Sequence, residues 1–160
     1  MRNTMKRKID IFTDGSAKGD ARGGWSALIL EDGIVYTVLK GYIVDTTNQR
    51  MELTAAILSC GLAEGFEDVE VYVYSDSAYL VNCANDKWYE NWLKNGWVNS
   101  KGDPVANQDL WKLLIPFFES DKYHFCKVKG HSDVALNNLA DEYAQDIPVC
   151  LGEQYESNYN

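Results

Sequence analysis

Hydrophobic and polar residues alternate along the first third of the chain. Residues 8–13 alternate well enough to predict a strand, and the turn chemistry of Asp14-Gly15-Ser16 predicts its end. Two more β-rich runs, at 25–31 and 34–43, are separated only by Asp32-Gly33, a dipeptide typical of tight hairpins. The pattern predicts three consecutive antiparallel strands.

A helical period follows over residues 50–63. We expect Asn48 and the threonines before it to cap this helix. The helix should be mostly buried, because apolar residues recur at helical spacing and further apolar positions widen the same face. These residues are Met51, Ala55, Leu58 and Leu62, with Leu53, Ile57 and Cys60 beside them.

Apolar and polar residues alternate again over residues 69–74, which predicts a strand. Asp76 follows the end of this strand, directly before a short helix predicted from Ser77. Asn107 is predicted to cap an amphipathic helix, in which Pro116 should cause a kink or an early end.

The carboxyl-terminal part adds a last strand at 123–128 and a helix at about 137–145. The order of elements predicts an α/β fold: a single five-stranded mixed sheet, three antiparallel strands and then two parallel ones, flanked by helices. With 160 residues and 46% hydrophobic positions, the chain can sustain one core. We expect one domain over residues 1–148 and a flexible polar tail over 149–160.

Composition limits the possible functions only weakly. No apolar stretch approaches the roughly 20 residues needed to span a bilayer, so we expect a cytoplasmic chain with no membrane partner. The four cysteines form no closely spaced pair, which favours reduced structural thiols over a zinc or redox site. Six of the acids behind the net charge of −9 lie in residues 131–160, so overall acidity does not exclude a nucleic-acid partner.

Four acidic residues occupy positions that a structural role explains poorly as a group: Asp14, Glu52, Asp76 and Asp141. Each alone has a simple explanation as a turn former, a partner of Arg50, a helix cap or a surface charge. Strand ends and a helix packed across one sheet could nevertheless bring all four together. Two like charges about 4 Å apart repel by roughly 4 kcal/mol at an effective dielectric near 20. Such a cluster would bind a hard cation, and two ions could activate a phosphodiester for hydrolysis.

The ordered motifs across residues 8–146 resemble the type 1 ribonuclease H family. They are Ile11-Phe12-Thr13-Asp14-Gly15-Ser16, Thr47-Asn48-Gln49-Arg50-Met51-Glu52-Leu53, Tyr74-Ser75-Asp76-Ser77, and Val128-Lys129-Gly130-His131 followed by Asp141-Glu142. The resemblance implies a monomeric endonuclease that cuts the RNA strand of RNA/DNA hybrids and leaves 5′-phosphate and 3′-hydroxyl ends.

The same resemblance implies roles for individual residues. Asp14, Glu52, Asp76 and Asp141 would hold two Mg²⁺ ions, with Mn²⁺ as an alternative, and His131 would aid proton transfer or product departure. The substrate contacts would come from Gly15, Ser16, Thr47, Asn48, Gln49, Trp92 and Asn137.

Residues 86–103 depart from the family pattern. Three lysines there face three acids, so a segment that is often strongly basic is neutral, and we expect weaker hybrid binding. Trp92 matches a tryptophan that lies against the DNA strand, although Trp88 and Trp92 at i and i+4 could also pack in the core.

Three other functions remain open at this point. Another nuclease of the same fold, such as a resolvase or a transposase core, would also use clustered carboxylates. A non-catalytic hybrid-binding module would fit the acidic balance. A Ser/His/Asp hydrolase built on Ser16 or Ser132 with His131 fits poorly, because no nucleophile elbow surrounds either serine. His124 lies within a predicted strand, which favours a structural role.

Overall fold

The computed structural model describes residues 6–20 and 22–128, which form a mixed sheet with helices. The sheet has five strands in the order β3-β2-β1-β4-β5. β1 pairs antiparallel with β2 and parallel with β4, and β4 pairs parallel with β5. This confirms the predicted α/β fold. The strands are β1 (Arg7–Ala17), β2 (Gly23–Glu31), β3 (Ile34–Ile43), β4 (Val69–Ser75) and β5 (Tyr123–Lys127).

Four helices lie between these strands in the described ranges. They are α1 (Asn48–Ala63), α2 (Ala78–Asn85), α3 (Trp88–Asn95) and α4 (Gln108–Phe118). No helix among the described residues is both long and apolar enough to cross a membrane. The predicted helix at 137–145 and the predicted tail at 149–160 lie outside the described residues.

β1 continues beyond its predicted end. Asp14 pairs with Ser26 of β2, and the ladder runs on to Ala17 opposite Gly23. The expectation of a turn at 14–16 was therefore wrong, because pairing with β2 outweighs the local turn preference of an Asp-Gly-Ser triplet. The chain reverses later, where Lys18 N donates to Arg22 O at 2.8 Å. The second hairpin is at Asp32-Gly33, as predicted, and both residues have positive φ.

α1 begins at Asn48, two residues before the predicted start at 50. Its N-cap is Thr47, one of the threonines expected to cap the helix, and the Thr47 hydroxyl oxygen accepts a hydrogen bond from Arg50 N at 3.2 Å. Asn48 is the first helical residue, and its Oδ1 accepts from Ala17 N at 2.5 Å. The side chain of Asn48 therefore joins the helix to the end of β1.

The buried face of α1 also differs in part from the prediction. Leu58 is 46% exposed, whereas Ala56 and Ser59 are buried. The helix packs on β1 and β2 and also contacts α4, so small residues fill the close contacts and Leu58 faces outwards.

α4 begins without the predicted cap. Asn107 has a left-handed backbone with φ of 63° and makes no capping hydrogen bond through its side chain. Its Oδ1 accepts instead from Arg50 Nη1 at 3.3 Å, so a tertiary contact replaces the local one. Pro116 lies inside α4, and the helix ends two residues later at Phe118.

The main core lies between the sheet and the helices. Ile9, Ile11, Val71 and Val73 of the central strands are fully buried. A second buried cluster lies between the helices and includes Leu53, Leu80, Trp111 and Leu114. Cys60, Cys83 and Cys126 are free thiols, while Cys150 lies outside the described residues. The first cluster joins four strands of the sheet to the last turns of α1, and the second joins the middle of α1 to α2, α3 and α4.

Candidate active site

Asp14 lies within β1, on the central strand of the sheet. The residue is only 4% exposed, and its Oδ1 accepts a hydrogen bond from Gly15 N at 2.9 Å. A carboxylate buried this deeply is costly unless other groups stabilise its charge. Its position therefore points to a functional role.

Two more carboxylates approach Asp14 from different elements. Glu52 lies on the second turn of α1, and Asp76 lies between β4 and α2. β1 and β4 are parallel neighbours, which brings Asp76 to the same end of the sheet as Asp14. One oxygen from each of the three carboxylates lies within 4.8 Å of the other two. Three acids that are far apart in the sequence thus form one cluster.

The cluster changes the protonation of Glu52. The pKa of its carboxyl group is raised to about 7, chiefly by burial. A hydrogen bond from the Ser77 hydroxyl opposes this rise, and the nearby charge of Asp76 adds to it. Negative charge is thus concentrated here beyond what the protein alone stabilises. Three oxygen ligands in close reach suit a hard divalent cation, and the donor set fits the metal that the sequence implied.

Ser77 is a site residue that the sequence marked only as the start of a helix and the end of the Tyr74-Ser75-Asp76-Ser77 motif. Its hydroxyl oxygen accepts from Leu80 N at 3.2 Å and so caps α2. A hydroxyl has one donor and two acceptor positions, so the proton of Ser77 is free to bind Glu52. Its position next to Asp76 was the available signal, but its contact with Glu52 depends on the tertiary fold.

The residues predicted to contact the substrate differ in their exposure to solvent. Thr47, Asn48 and Gln49 are exposed at the start of α1, and Ser16 is half-buried on β1. Gly15 is buried against α1. Because Oδ1 of Asn48 is bound by Ala17 N, the amide nitrogen of its side chain is the group left to donate outwards.

Trp92 lies in an aromatic group on α3 and α4. Its ring centroid is 5.5 Å from Trp97 and 5.7 Å from Trp111, and its side chain is half-buried. Trp88 and Trp92 also line an open groove of about 680 Å³. Packing against Trp97 and Trp111 therefore buries one part of the Trp92 side chain, and another part faces the groove.

Arg50 is another residue whose partner the sequence did not identify. Its guanidinium makes two hydrogen bonds to the Asp109 carboxylate, at 3.0 and 2.7 Å. These contacts tie the start of α1 to the start of α4. Glu52, for which an ion pair with Arg50 was one structural explanation, makes its hydrogen bond with Ser77 instead.

The remaining candidates are placed more simply. His124 is exposed on β5, where Nε2 lies 2.6 Å from Glu70 Oε2 and the ring stacks on Tyr72. It is thus on a different element from the three acids. His131, Asn137 and Asp141 lie outside the described residues, and so does Ser132.

Comparison with known proteins identifies one family over most of the chain. The sequence profile of the RNase H family matches residues 6–147. The chain is 45% identical to the ribonuclease H of Syntrophomonas wolfei over 147 residues, which cover 91% of this chain and 99% of that protein. It is 47% identical to the ribonuclease H of Chlorobium limicola over 142 residues, 88% and 95% of the two chains.

A solved structure supports the fold. LC11-RNase H1 in complex with an RNA/DNA hybrid has a TM-score of 0.62 and 23% identity to this chain, and the match covers 86% of this chain and 94% of that one. With the acidic cluster on β1, α1 and the end of β4, these similarities lead to one conclusion. The chain belongs to the RNase H family and is a ribonuclease H enzyme.

Proposed function

We propose that this enzyme hydrolyses phosphodiester bonds in the RNA strand of RNA/DNA hybrids and leaves 5′-phosphate and 3′-hydroxyl ends. The observation that carries the proposal is the convergence of Asp14, Glu52 and Asp76, with carboxylate oxygens within 4.8 Å of one another. Relatives named ribonuclease H at 45–47% identity support the same activity.

Mg²⁺ is the proposed cofactor, with Mn²⁺ as an alternative. Asp14, Glu52 and Asp76 offer oxygen ligands, and Asp141 is the fourth proposed ligand from the part of the chain that the structure does not describe. Two bound ions would supply positive charge to the attacking water and to the departing oxygen. Asp14 is the most deeply buried of the three described ligands.

The chain's own groups would prepare this site in two ways. Ser77 holds Glu52 through its hydroxyl proton and thereby favours the ionised carboxylate that a metal requires. His131 is proposed to move a proton or to aid product departure. The pKa of Glu52, raised to about 7, makes this ionisation sensitive to pH near neutrality.

Selection of RNA over DNA requires contacts to the 2′-hydroxyl. We assign these contacts to Ser16, Asn48 and Gln49, which lie two to four residues from Asp14 or Glu52 in the sequence, with Gly15 contributing through its backbone. Asn48 would act as a donor, because Ala17 N already occupies its side-chain oxygen. Asn137 is also proposed to contact the substrate.

The DNA strand would run past the start of α1 and over α3. Thr47 is proposed to hold a phosphate, and Trp92 is proposed to lie against the strand with the part of its surface that faces the groove. The lysines near Trp92 are balanced by acids, so electrostatic attraction to the strand is weak here.

A cleavage assay tests the proposal. Hybrid, RNA duplex and DNA duplex of one sequence, each labelled on one strand, are incubated with the enzyme and Mg²⁺. We expect cleavage of RNA only in the hybrid, and none with Asp76→Asn. Asp121→Asn is the matched control, because Asp121 is exposed before β5, at the opposite end of the parallel strands. Intact hybrid RNA at every Mg²⁺ and Mn²⁺ concentration would refute the proposal.

A further inference from the structure

We infer that Gly15 is a positioning residue for the metal site: its missing side chain lets α1 approach β1 closely enough to bring Glu52 to Asp14. This inference rests on the proposed function and deepens it. It concerns the spacing between two elements and does not depend on contact between Gly15 and the substrate.

The contact between Gly15 and α1 is unusually close. A methyl group on Cα of Gly15 would lie 2.3 Å from Glu52 N and 2.3 Å from Met51 C. Both are backbone atoms of a helix, so neither can rotate out of the way. A side chain at position 15 would therefore displace the second turn of α1 as a unit, by about 1 Å, since non-bonded atoms need about 3.5 Å.

The displaced turn carries a metal ligand. Gly15 follows Asp14 directly in β1, and one of the two atoms that its methyl group would strike is the amide nitrogen of Glu52 itself. A set of metal ligands binds its ion well only when the ligand atoms are held to within about 0.5 Å of the productive geometry. A shift of about 1 Å between these two residues would therefore weaken metal binding before it unfolded the sheet.

Gly23 provides a matched comparison on the neighbouring strand. A methyl group there would lie 2.2 Å from Thr46 Cγ2 and 2.8 Å from Met51 Cγ. These are side-chain atoms, one just before α1 and one in its first turn, and they can rotate or be removed by substitution. Gly23→Ala should therefore lower stability without moving the backbone of Glu52, and Thr46→Ser should restore part of that loss by removing Cγ2.

The experiment measures the affinity for Mn²⁺ alone by titration calorimetry, without substrate, in Gly15→Ala and Gly23→Ala. Both changes are made in a Gly61→Ala background, which offsets part of any loss of stability. Gly61 lies in α1 with open space around the position of its Cβ, so alanine there favours the helix. Thermal unfolding in EDTA reports the stability of each variant separately.

We expect Gly15→Ala to bind Mn²⁺ about 10- to 100-fold more weakly, the range seen when the support of a metal ligand is removed. Gly23→Ala should keep the parental affinity whatever its loss of stability. Equal Mn²⁺ affinity in Gly15→Ala and its parent would overturn the inference. So would a Gly15→Ala protein that stays unfolded in the Gly61→Ala background, because the glycine would then be a requirement of the fold. If the parent itself bound no Mn²⁺, the proposed function would fail first.

Discussion

Glu52 connects the stability of the protein to the chemistry of its site. The folded protein raises the pKa of this carboxyl group from 4.5 to about 7. Between these two pH values the folded state holds a proton that the unfolded chain releases, so the free energy of unfolding falls as pH rises. The full penalty, about 3 kcal/mol, is reached above pH 7.

Glu52→Gln should remove that penalty. In EDTA, the variant should gain up to about 3 kcal/mol in free energy of unfolding at pH 8 and little at pH 4. Urea unfolding at both pH values measures the two differences. The amide oxygen of glutamine keeps an acceptor for the Ser77 hydroxyl, which makes the comparison close to isosteric. A gain of equal size at both pH values would contradict a role for the Glu52 ionisation.

Asp14→Asn tests the repulsion from the buried member of the cluster. We expect hybrid cleavage to be lost, while the free energy of unfolding in EDTA stays equal or rises by up to about 3 kcal/mol, because one of three crowded charges is gone. The amide oxygen of asparagine can still accept from Gly15 N. A clear drop in the metal-free melting temperature would show that Asp14 is a structural acid.

For individual residues, the sequence predicted the acidic side chains of the site better than the side chains that contact them. Asp14, Glu52 and Asp76 stood out because buried strand ends and an apolar helix are unusual places for a carboxylate. The contact of Ser77 with Glu52 and that of Arg50 with Asp109 join residues 25 and 59 positions apart. No local pattern marks such pairs, since only the packing of α1 against α2 and α4 creates them.

Among the elements, α1 carries most of the site. It presents Thr47, Asn48 and Gln49 at its start and Glu52 on its second turn, and it touches β1, β2, α2 and α4. The spacing of hydrophobic residues predicted this helix but wrongly predicted that Leu58 is buried. Spacing alone does not show which sides of α1 pack against the sheet and α4. The extension of β1 was missed because the partner β2 supplies its hydrogen bonds.

The Arg50–Asp109 pair holds α1 to α4, and its contribution can be measured. Asp109→Asn should lower the free energy of unfolding by about 1 kcal/mol or less, because both side chains are partly exposed. The Arg50 guanidinium lowers the pKa of the Asp109 carboxyl group, so the contribution should disappear as the pH falls below the ordinary value of 3.8.

A double-mutant cycle with Arg50→Gln and Asp109→Asn isolates the pair. We expect a coupling energy of about 0.5–1 kcal/mol at low salt and a smaller one at 1 M salt. Lys112→Gln, on the same helix, is a control that should show no coupling to Arg50. A zero coupling energy would mean that apolar packing alone positions α4 against α1.

For the whole molecule, charge distribution matters more than net charge. The chain carries −9 overall, and the segment 86–103 around the tryptophans is neutral. This neutrality follows from the sequence alone, since charges can be counted without a fold. The structure shows in addition that Leu93, next to Trp92 on α3, is 54% exposed to solvent.

Leu93→Lys should therefore strengthen hybrid binding. A new cation on α3 would release about one more counterion from the DNA strand and steepen the salt dependence of log K by about 0.9. Binding is measured across a salt series in the cleavage-deficient Asp14→Asn background. Ile34→Lys is the matched control, because Ile34 is 74% exposed and pairs with Glu31 at the end of the sheet away from Asp14. Equal gains in both variants would show that net charge alone governs affinity, and no gain in either would place the DNA strand away from α3.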